Sequence, residues 1–296
     1  MSLKQLSLTT RDLQLLAELG ELGVMSAPML LVRHFGGFTN DESAQRSFRR
    51  RMKRFVAHGL VLQERLPAAG KLVTVLRLTE AGADWLAELT GSRPVRPAGP
   101  QALNPVTLPH RLGVVATRLA FDDACRQAGI DLPEWRFEHD PLPDAEPTAG
   151  NNEKFLLYES FQDAGSRLVC WADAAFRLRI AGPNAHEFLA YIEYDRSTEN
   201  KRRLAAKSAP FQRLVRERRY AMHWPGLAIQ HTVRVLFVVR SEQRLSHAID
   251  AIRDTPGAPL FRFATYADVT PERVLSAPIW RTIDWQRLAI LKSTPS

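Results

Sequence analysis

Leu13, Leu16 and Leu19 recur at the spacing of one helix face, behind Thr9 and Thr10, whose hydroxyls suit a helix N-cap. The pattern stops at Gly20 or Gly23. Ser26, with Pro28 just inside, opens a second short helix through Met29, Leu30, Val32 and Phe35. After the Gly36-Gly37 turn, Asn40 or Asp41 caps a third helix over 42–58, with Phe48, Met52, Phe55 and Val56 at helical spacing. Gly59 ends it. Two β-like runs, 60–66 and 72–78, flank the turn Pro67-Ala-Ala-Gly70 as a hairpin. Thr79-Glu80-Ala81-Gly82 then opens a closing helix carrying Trp85, Leu86 and Leu89.

The pattern changes at 91–108, where Pro94, Pro97, Pro100 and Pro105 forbid a continuous helix. This stretch reads as a linker over 93–108 between a domain at 1–92 and a second at 109–296. The second opens with an amphipathic helix over 109–129, bearing Leu112, Val115, Leu119 and Ala120. A short strand is expected at 134–138, an irregular loop at 141–152, and β-rich runs at 154–158, 167–180 and 187–194. One long helix over 197–219 follows, then a strongly apolar strand at 233–239, a helix at 242–253 and a strand at 260–265. Hairpin-like strands followed by a helical crossover to a buried strand predict a mixed sheet with helices on its faces. The fold class is therefore α+β.

Three helices, a hairpin and a closing helix are the order of a winged helix-turn-helix, whose third helix enters the DNA major groove while the hairpin lies along the backbone. Charge strengthens that expectation. The 296-residue chain carries a net +8 with an isoelectric point near 9.9, which points to an anionic partner such as double-stranded DNA. The charge is unevenly spread: residues 136–195 sum to −6 and residues 196–219 to +7. On the third helix, Arg46, Arg49, Arg50, Arg51, Lys53 and Arg54 stand between the apolar positions. Such cations neutralise phosphates, and Arg also reads guanine bidentately. Gln45 and Ser47, near the helix start, are placed for base edges. On the second basic segment, Arg202 and Arg203 are candidates for a phosphate track.

The composition excludes other classes. No apolar run approaches the roughly 20 residues of a membrane helix, and residues 1–5 lack the apolar stretch of a signal peptide. Two cysteines, Cys125 and Cys170, support neither a disulfide scaffold nor a cysteine-built zinc site. There is no P-loop or dinucleotide fingerprint. A cytoplasmic protein without membrane contact is expected.

Acidic residues fall at the ends of the predicted strands. Asp173 sits in Trp171-Ala-Asp-Ala-Ala-Phe176, and Glu193 and Asp195 sit in Tyr191-Ile-Glu-Tyr-Asp195. Side chains alternate along a strand, so Glu193 and Asp195 share a face. Carboxylates converging on one spot hold Mg²⁺ through oxygen ligands, and such an ion activates water against a phosphate. Asp173, Glu193 and Asp195 are therefore candidate metal ligands and catalytic groups.

At these residues the chain resembles the replication-relaxation proteins of bacterial plasmids and integrating elements. The resemblance is carried by Leu78-Thr79-Glu80-Ala81-Gly82, Pro109-His110-Arg111-Leu112, Ala172-Asp173-Ala174, and Glu193-Tyr-Asp-Arg-Ser-Thr-Glu199 followed by Lys207. It implies a winged helix followed by a domain similar to the PD-(D/E)xK (restriction-endonuclease-like) nucleases. Two positions depart from the nuclease pattern: Ala172 stands where Pro precedes the Asp, and Asp195 stands where the Lys is expected. Lys201 or Lys207, on the following helix, is the candidate substitute. The resemblance implies a DNA-binding protein in replication initiation, relaxation or mobilisation, working with replication or relaxase proteins and open to homodimer formation. A metal-dependent endonuclease or nickase is the alternative. A further alternative is a transcriptional regulator whose second domain is not catalytic.

Overall fold

The computed structural model describes residues 7–37, 40–68, 70–94, 103–142, 152–163, 165–181, 185–195 and 199–291. It is a mixed α and β protein that divides into two compact units, Met1–Ala116 and Thr117–Ser296. Half of the expected linker, residues 95–102, lies outside the described residues.

In the first unit, helices α1 (Thr10–Leu22), α2 (Ala27–Phe35), α3 (Asp41–Ala57) and α4 (Glu80–Thr90) surround a sheet of β1 (Met25–Ser26), β2 (Val61–Ala68) and β3 (Lys71–Leu78). Local chemistry sets each helix start. The Thr9 hydroxyl accepts from the Asp12 amide at 3.3 Å while the Asp12 carboxylate accepts from the Thr9 amide at 2.8 Å, a reciprocal capping box. The side chains of Ser26, Asn40 and Thr79 cap α2, α3 and α4 by accepting from the amides of Met29, Ser43 and Gly82, without the reciprocal bond. Strand β1 was not foreseen. It is two residues long, pairing Met25 with Leu76 and Ser26 with Val75, and it completes the sheet order β1-β3-β2. Leu15, Leu16, Leu19, Leu30, Phe55 and Leu76 are wholly buried. Gly82, in the Leu78–Gly82 motif, is required sterically: a Cβ there would lie 2.3 Å from the Leu60 carbonyl oxygen. That carbonyl is itself held by the Thr79 amide at 3.0 Å.

Helix α5 (Leu108–Ala128) contains the division between the units, which falls at 116/117 rather than at 109. Its first turns belong to the first unit because Leu103 and Leu108 are buried with Val24, Ala68 and Val75.

The second unit is built on a seven-stranded sheet of order β12-β11-β10-β9-β8-β7-β4. These strands are β4 (Glu134–Phe137), β7 (Ala174–Ile180), β8 (His186–Tyr194), β9 (His231–Val239), β10 (Phe261–Thr265), β11 (Trp280–Arg281) and β12 (Arg287–Leu288). Strands β8, β9 and β10 run parallel, and both flanks are antiparallel. On one face Tyr191, Val235, Phe237 and Phe263 pack with Leu204, Phe211, Leu214, Leu245 and Ile249. On the other, Phe121 of α5 meets Trp135 and Phe176 with ring centroids 6.0 and 4.6 Å apart.

Three expectations change. The run 167–180 is two strands: β6 (Ser166–Trp171) pairs with β5 (Tyr158–Asp163) in a separate hairpin, and β7 joins the main sheet. The break is Ala172-Asp173, where the Asp173 carboxylate accepts from the Tyr194 amide at 2.7 Å. The weak strand at 154–158 starts instead at Tyr158. The long helix over 197–219 is three short ones, α6 (Lys201–Ala206), α7 (Ser208–Arg216) and α8 (Tyr220–His223). Pro210, which has no amide hydrogen, sits in the first turn of α7 where none is needed. Arg218, at φ 55°, turns the chain between α7 and α8. Helix α9 (Glu242–Ile252) falls where the sequence places it.

Candidate nucleic-acid interface and acidic cluster

Helix α3 turns Ala44, Phe48, Met52 and Phe55 inward. The spacing then fixes what faces outward. Gln45, Arg49 and Lys53 form one i, i+4 row, and Arg46, Arg50 and Arg54 form the adjoining row. All six are exposed. The first row borders a groove of about 840 Å³ between α2, α3 and the β2–β3 strands. Arg46 makes an exposed pair with Glu42 at 2.8 Å, and the Gln45 carbonyl accepts from Arg49 at 3.2 Å. Arg51 differs. It turns towards α1, pairing with the buried Asp12 carboxylate at 3.1 Å, so the capping residue of α1 also anchors α3. Arg51 is therefore a structural cation, and five of the six cations counted on this helix remain on the surface.

In the second unit the sheet brings Asp173, Glu193 and Lys207 together. Asp173 precedes β7, and Glu193 lies near the end of β8 on the helix-covered face. Lys207, at the junction of α6 and α7, places its Nζ 2.5 Å from Glu193 Oε2 and 3.3 Å from Glu199 Oε2. Lys207 is thus the basic partner of the cluster, whereas Lys201 is exposed at the start of α6. Burial pushes the Glu193 carboxyl up to about 7; Lys207 opposes the shift, and the negative charges of Asp173 and Glu199 add to it. One ammonium faces three carboxylates. Burial works against the Lys207 charge, but Glu193, Glu199 and Asp173 hold its pKa above the usual value.

The sign of the resulting pH dependence follows. Folded Glu193 binds its proton more tightly than the unfolded carboxyl, whose ordinary value is 4.5. Its contribution to stability is therefore fully present below about pH 4.5 and declines as pH rises through about 7. Urea unfolding of Glu193→Gln beside the unaltered protein is expected to show the variant gaining relative stability between these pH values and no further change above them. A constant difference across the window would contradict the assignment.

Asp195 is engaged outside this pairing with Lys207. Its carboxylate takes both arms of the Arg244 guanidinium, at 2.6 and 2.9 Å, and its side chain is 1% exposed. Its amide donates to the Val238 carbonyl at 2.8 Å, and its own carbonyl accepts from the Tyr266 hydroxyl. Asp195 ties the end of β8 to β9 and α9. Among the described residues no group of three His, Cys, Asp or Glu side chains is arranged to hold a metal ion. Each of the three acids has an internal partner: Asp195 holds Arg244, Asp173 accepts from the Tyr194 amide, and Glu193 is paired with Lys207.

Arg202 and Arg203 are exposed on α6. Other cations of the basic segment 196–219 are engaged internally. Arg213 bonds Glu217 and lies 3.4 Å from Asp163, and Arg219 pairs with the buried Glu159 at 2.9 Å. Arg244 was missed because nothing local marks it: it stands 49 positions from Asp195 and reads as an ordinary first-turn helix residue. No helix among the described residues is long and apolar enough to cross a membrane.

A sequence model of the replication-relaxation family matches residues 16–226, a span that includes α3 and all of Asp173, Glu193, Asp195 and Lys207. No curated protein and no solved structure matches the chain.

Proposed function

The chain belongs to the replication-relaxation family, and from that premise we propose that it is a DNA-binding protein acting in the replication, relaxation or mobilisation of a plasmid or integrating element. One observation carries this reading: two adjoining rows of exposed polar and cationic side chains on α3, with the sixth cation turned inward against Asp12. The order of helices and strands in the first unit, with its β1-β3-β2 sheet, supports a winged helix-turn-helix. In that arrangement α3 lies in the major groove of double-stranded DNA, Gln45 and Arg49 meet base edges, and Arg46, Arg50, Lys53 and Arg54 meet phosphates. The test is duplex binding by variants of the exposed α3 cations.

The mixed sheet of the second unit, with Asp173, Glu193 and Lys207 in one cluster, supports a PD-(D/E)xK-like domain. Its acids are occupied by internal partners, so this domain acts in binding, with Arg202 and Arg203 on DNA or with a replication or relaxase partner. The same cluster favours a second reading, a metal-dependent nickase that uses Asp173, Glu193 and Lys207. Supercoiled plasmid incubated with the protein and Mg²⁺ or Mn²⁺ separates the two. The binding reading expects no more nicked circles than with EDTA. Metal-dependent nicking that Glu193→Ala abolishes would replace it with the second.

A further inference from the structure

Beside the acidic cluster stands a group of partly exposed rings at the margin of the core, against which Trp171 packs. His139 follows β4, Phe155 precedes β5, and Trp171 closes β6. Their rings lie nearly parallel. His139 is 5.0 Å from Phe155 at 22° and 5.6 Å from Trp171 at 22°, and Phe155 is 5.8 Å from Trp171 at 16°. Tyr158, opposite Trp171 in the hairpin register, meets it edge-on at 5.5 Å. None of the four rings is fully buried, and the His139 side chain is 49% exposed. By contrast, Phe121 and Phe176 in the core of the same unit are fully enclosed and tilted to each other.

The stack is fixed in place and charged. The Trp171 indole donates to the Glu138 carbonyl at 2.9 Å, and the Glu138 amide donates to the Asp173 carbonyl at 3.0 Å. The segment bearing His139 is therefore tied both to Trp171 and to the backbone of Asp173. The Lys154 ammonium lies 5.4 Å from the Phe155 ring centroid, and the Arg167 guanidinium lies 5.9 Å from that of Tyr158. Lys154 is exposed, while Arg167 also pairs with Glu153. The Glu138 carboxylate lies 3.6 Å from His139, so Lys154 is the cation left facing solvent beside the rings. Parallel aromatic planes, partly open to solvent with a cation beside them, are the recognition chemistry of unpaired bases: each base offers a π-face, and the cation meets the neighbouring phosphate.

We propose that His139, Phe155 and Trp171 form a stacking platform for an unpaired base of single-stranded or locally melted DNA, with Lys154 against the adjoining phosphate. The proposal rests on DNA being the ligand, and it adds a second mode of contact that does not use α3. It gives the second unit a task that its occupied acids do not supply, holding a strand after the duplex has opened.

The full chain is titrated into a labelled oligothymidylate and into an abasic oligonucleotide of the same length, read by fluorescence anisotropy at a salt concentration that screens phosphate contacts. The unaltered protein is expected to bind the base-bearing strand about tenfold more tightly or better, the scale of one stacked base. His139→Ala is expected to lose that preference and His139→Phe to retain it, with duplex affinity unchanged in both. Equal affinity of the unaltered protein for the two strands overturns the platform, as does a preference that survives His139→Ala. Failure of the α3 reading shows separately, as duplex affinity that α3 substitutions do not alter. His139→Phe keeps an aromatic ring in the stack, so it answers the question even if the alanine variant loses stability.

Discussion

Replacing Arg49, Arg50 and Lys53 together by Gln is expected to weaken binding to duplex DNA about a hundredfold or more at low salt. All three side chains are exposed on α3, and none belongs to the apolar face formed by Ala44, Phe48, Met52 and Phe55. Gln has nearly the helix propensity of Arg and Lys, so the thermal midpoint should hold while affinity falls. Arg51→Gln is the contrasting variant. Its guanidinium meets the buried Asp12 carboxylate at 3.1 Å. Losing it leaves that buried acid without its counter-charge, though still capped by Thr9, and lowers stability, with a far smaller effect on affinity per folded molecule. Calorimetry and electrophoretic mobility shift, run on both variants, separate a surface cation from a structural one.

Arg244→Ala is expected to destabilise the second unit by about 3–5 kcal/mol, the range for removing one partner of a buried ion pair. The Asp195 side chain is 1% exposed and that of Arg244 is 12% exposed, so removing the guanidinium leaves a buried carboxylate without its counter-charge. The effect spreads because Asp195 joins three elements: β8 through the chain, β9 through its bond to Val238, and α9 through Arg244. Arg244→Lys keeps the charge but makes only one arm of the contact, and should fall between the alanine variant and the unaltered protein. Adding Asp195→Asn to Arg244→Ala removes the stranded charge and should recover part of the loss. Urea unfolding of the four proteins measures each step. Equal stability of Arg244→Ala and the unaltered protein would contradict the buried pairing.

The first unit was largely legible in the sequence because its signals are local. Thr9, Ser26, Asn40 and Thr79 cap helices within four residues of the amides they bind, and the apolar spacing of α3 states which side must face out. Strand β1 escaped, being two residues long and defined by its pairing with β3 rather than by any pattern of its own, and Pro67 and Ala68, expected in the turn, extend β2 instead. In the second unit the parallel strands β9 and β10 and helix α9 were marked by continuous apolar runs and helical spacing. The acidic cluster was legible only in part. Lys207 could be named as a substitute for the missing lysine because it follows in the same motif, and it lies against Glu193. The fate of Asp195 could not be read, since its partner lies on a helix reached only after β9. The division of 167–180 into two strands was hidden for a similar reason: the break depends on Asp173 binding the Tyr194 amide, a contact between strands. The ring platform lay outside the sequence reading altogether, because His139, Phe155 and Trp171 share no spacing and meet only once the hairpin of β5 and β6 has formed.

The central claim is that the exposed cations of α3 bind DNA through its phosphates. The measurement that tests it most directly is the duplex dissociation constant across a salt series, for the unaltered protein and for the Arg49, Arg50 and Lys53 triple Gln variant. Each phosphate contact contributes a slope of about −0.9 to log K against log salt. The unaltered protein should therefore show a steep negative slope, and the variant a slope shallower by about 2–3. Parallel slopes for the two proteins, or affinity that does not respond to salt, would contradict the claim and remove α3 as the DNA-contacting helix.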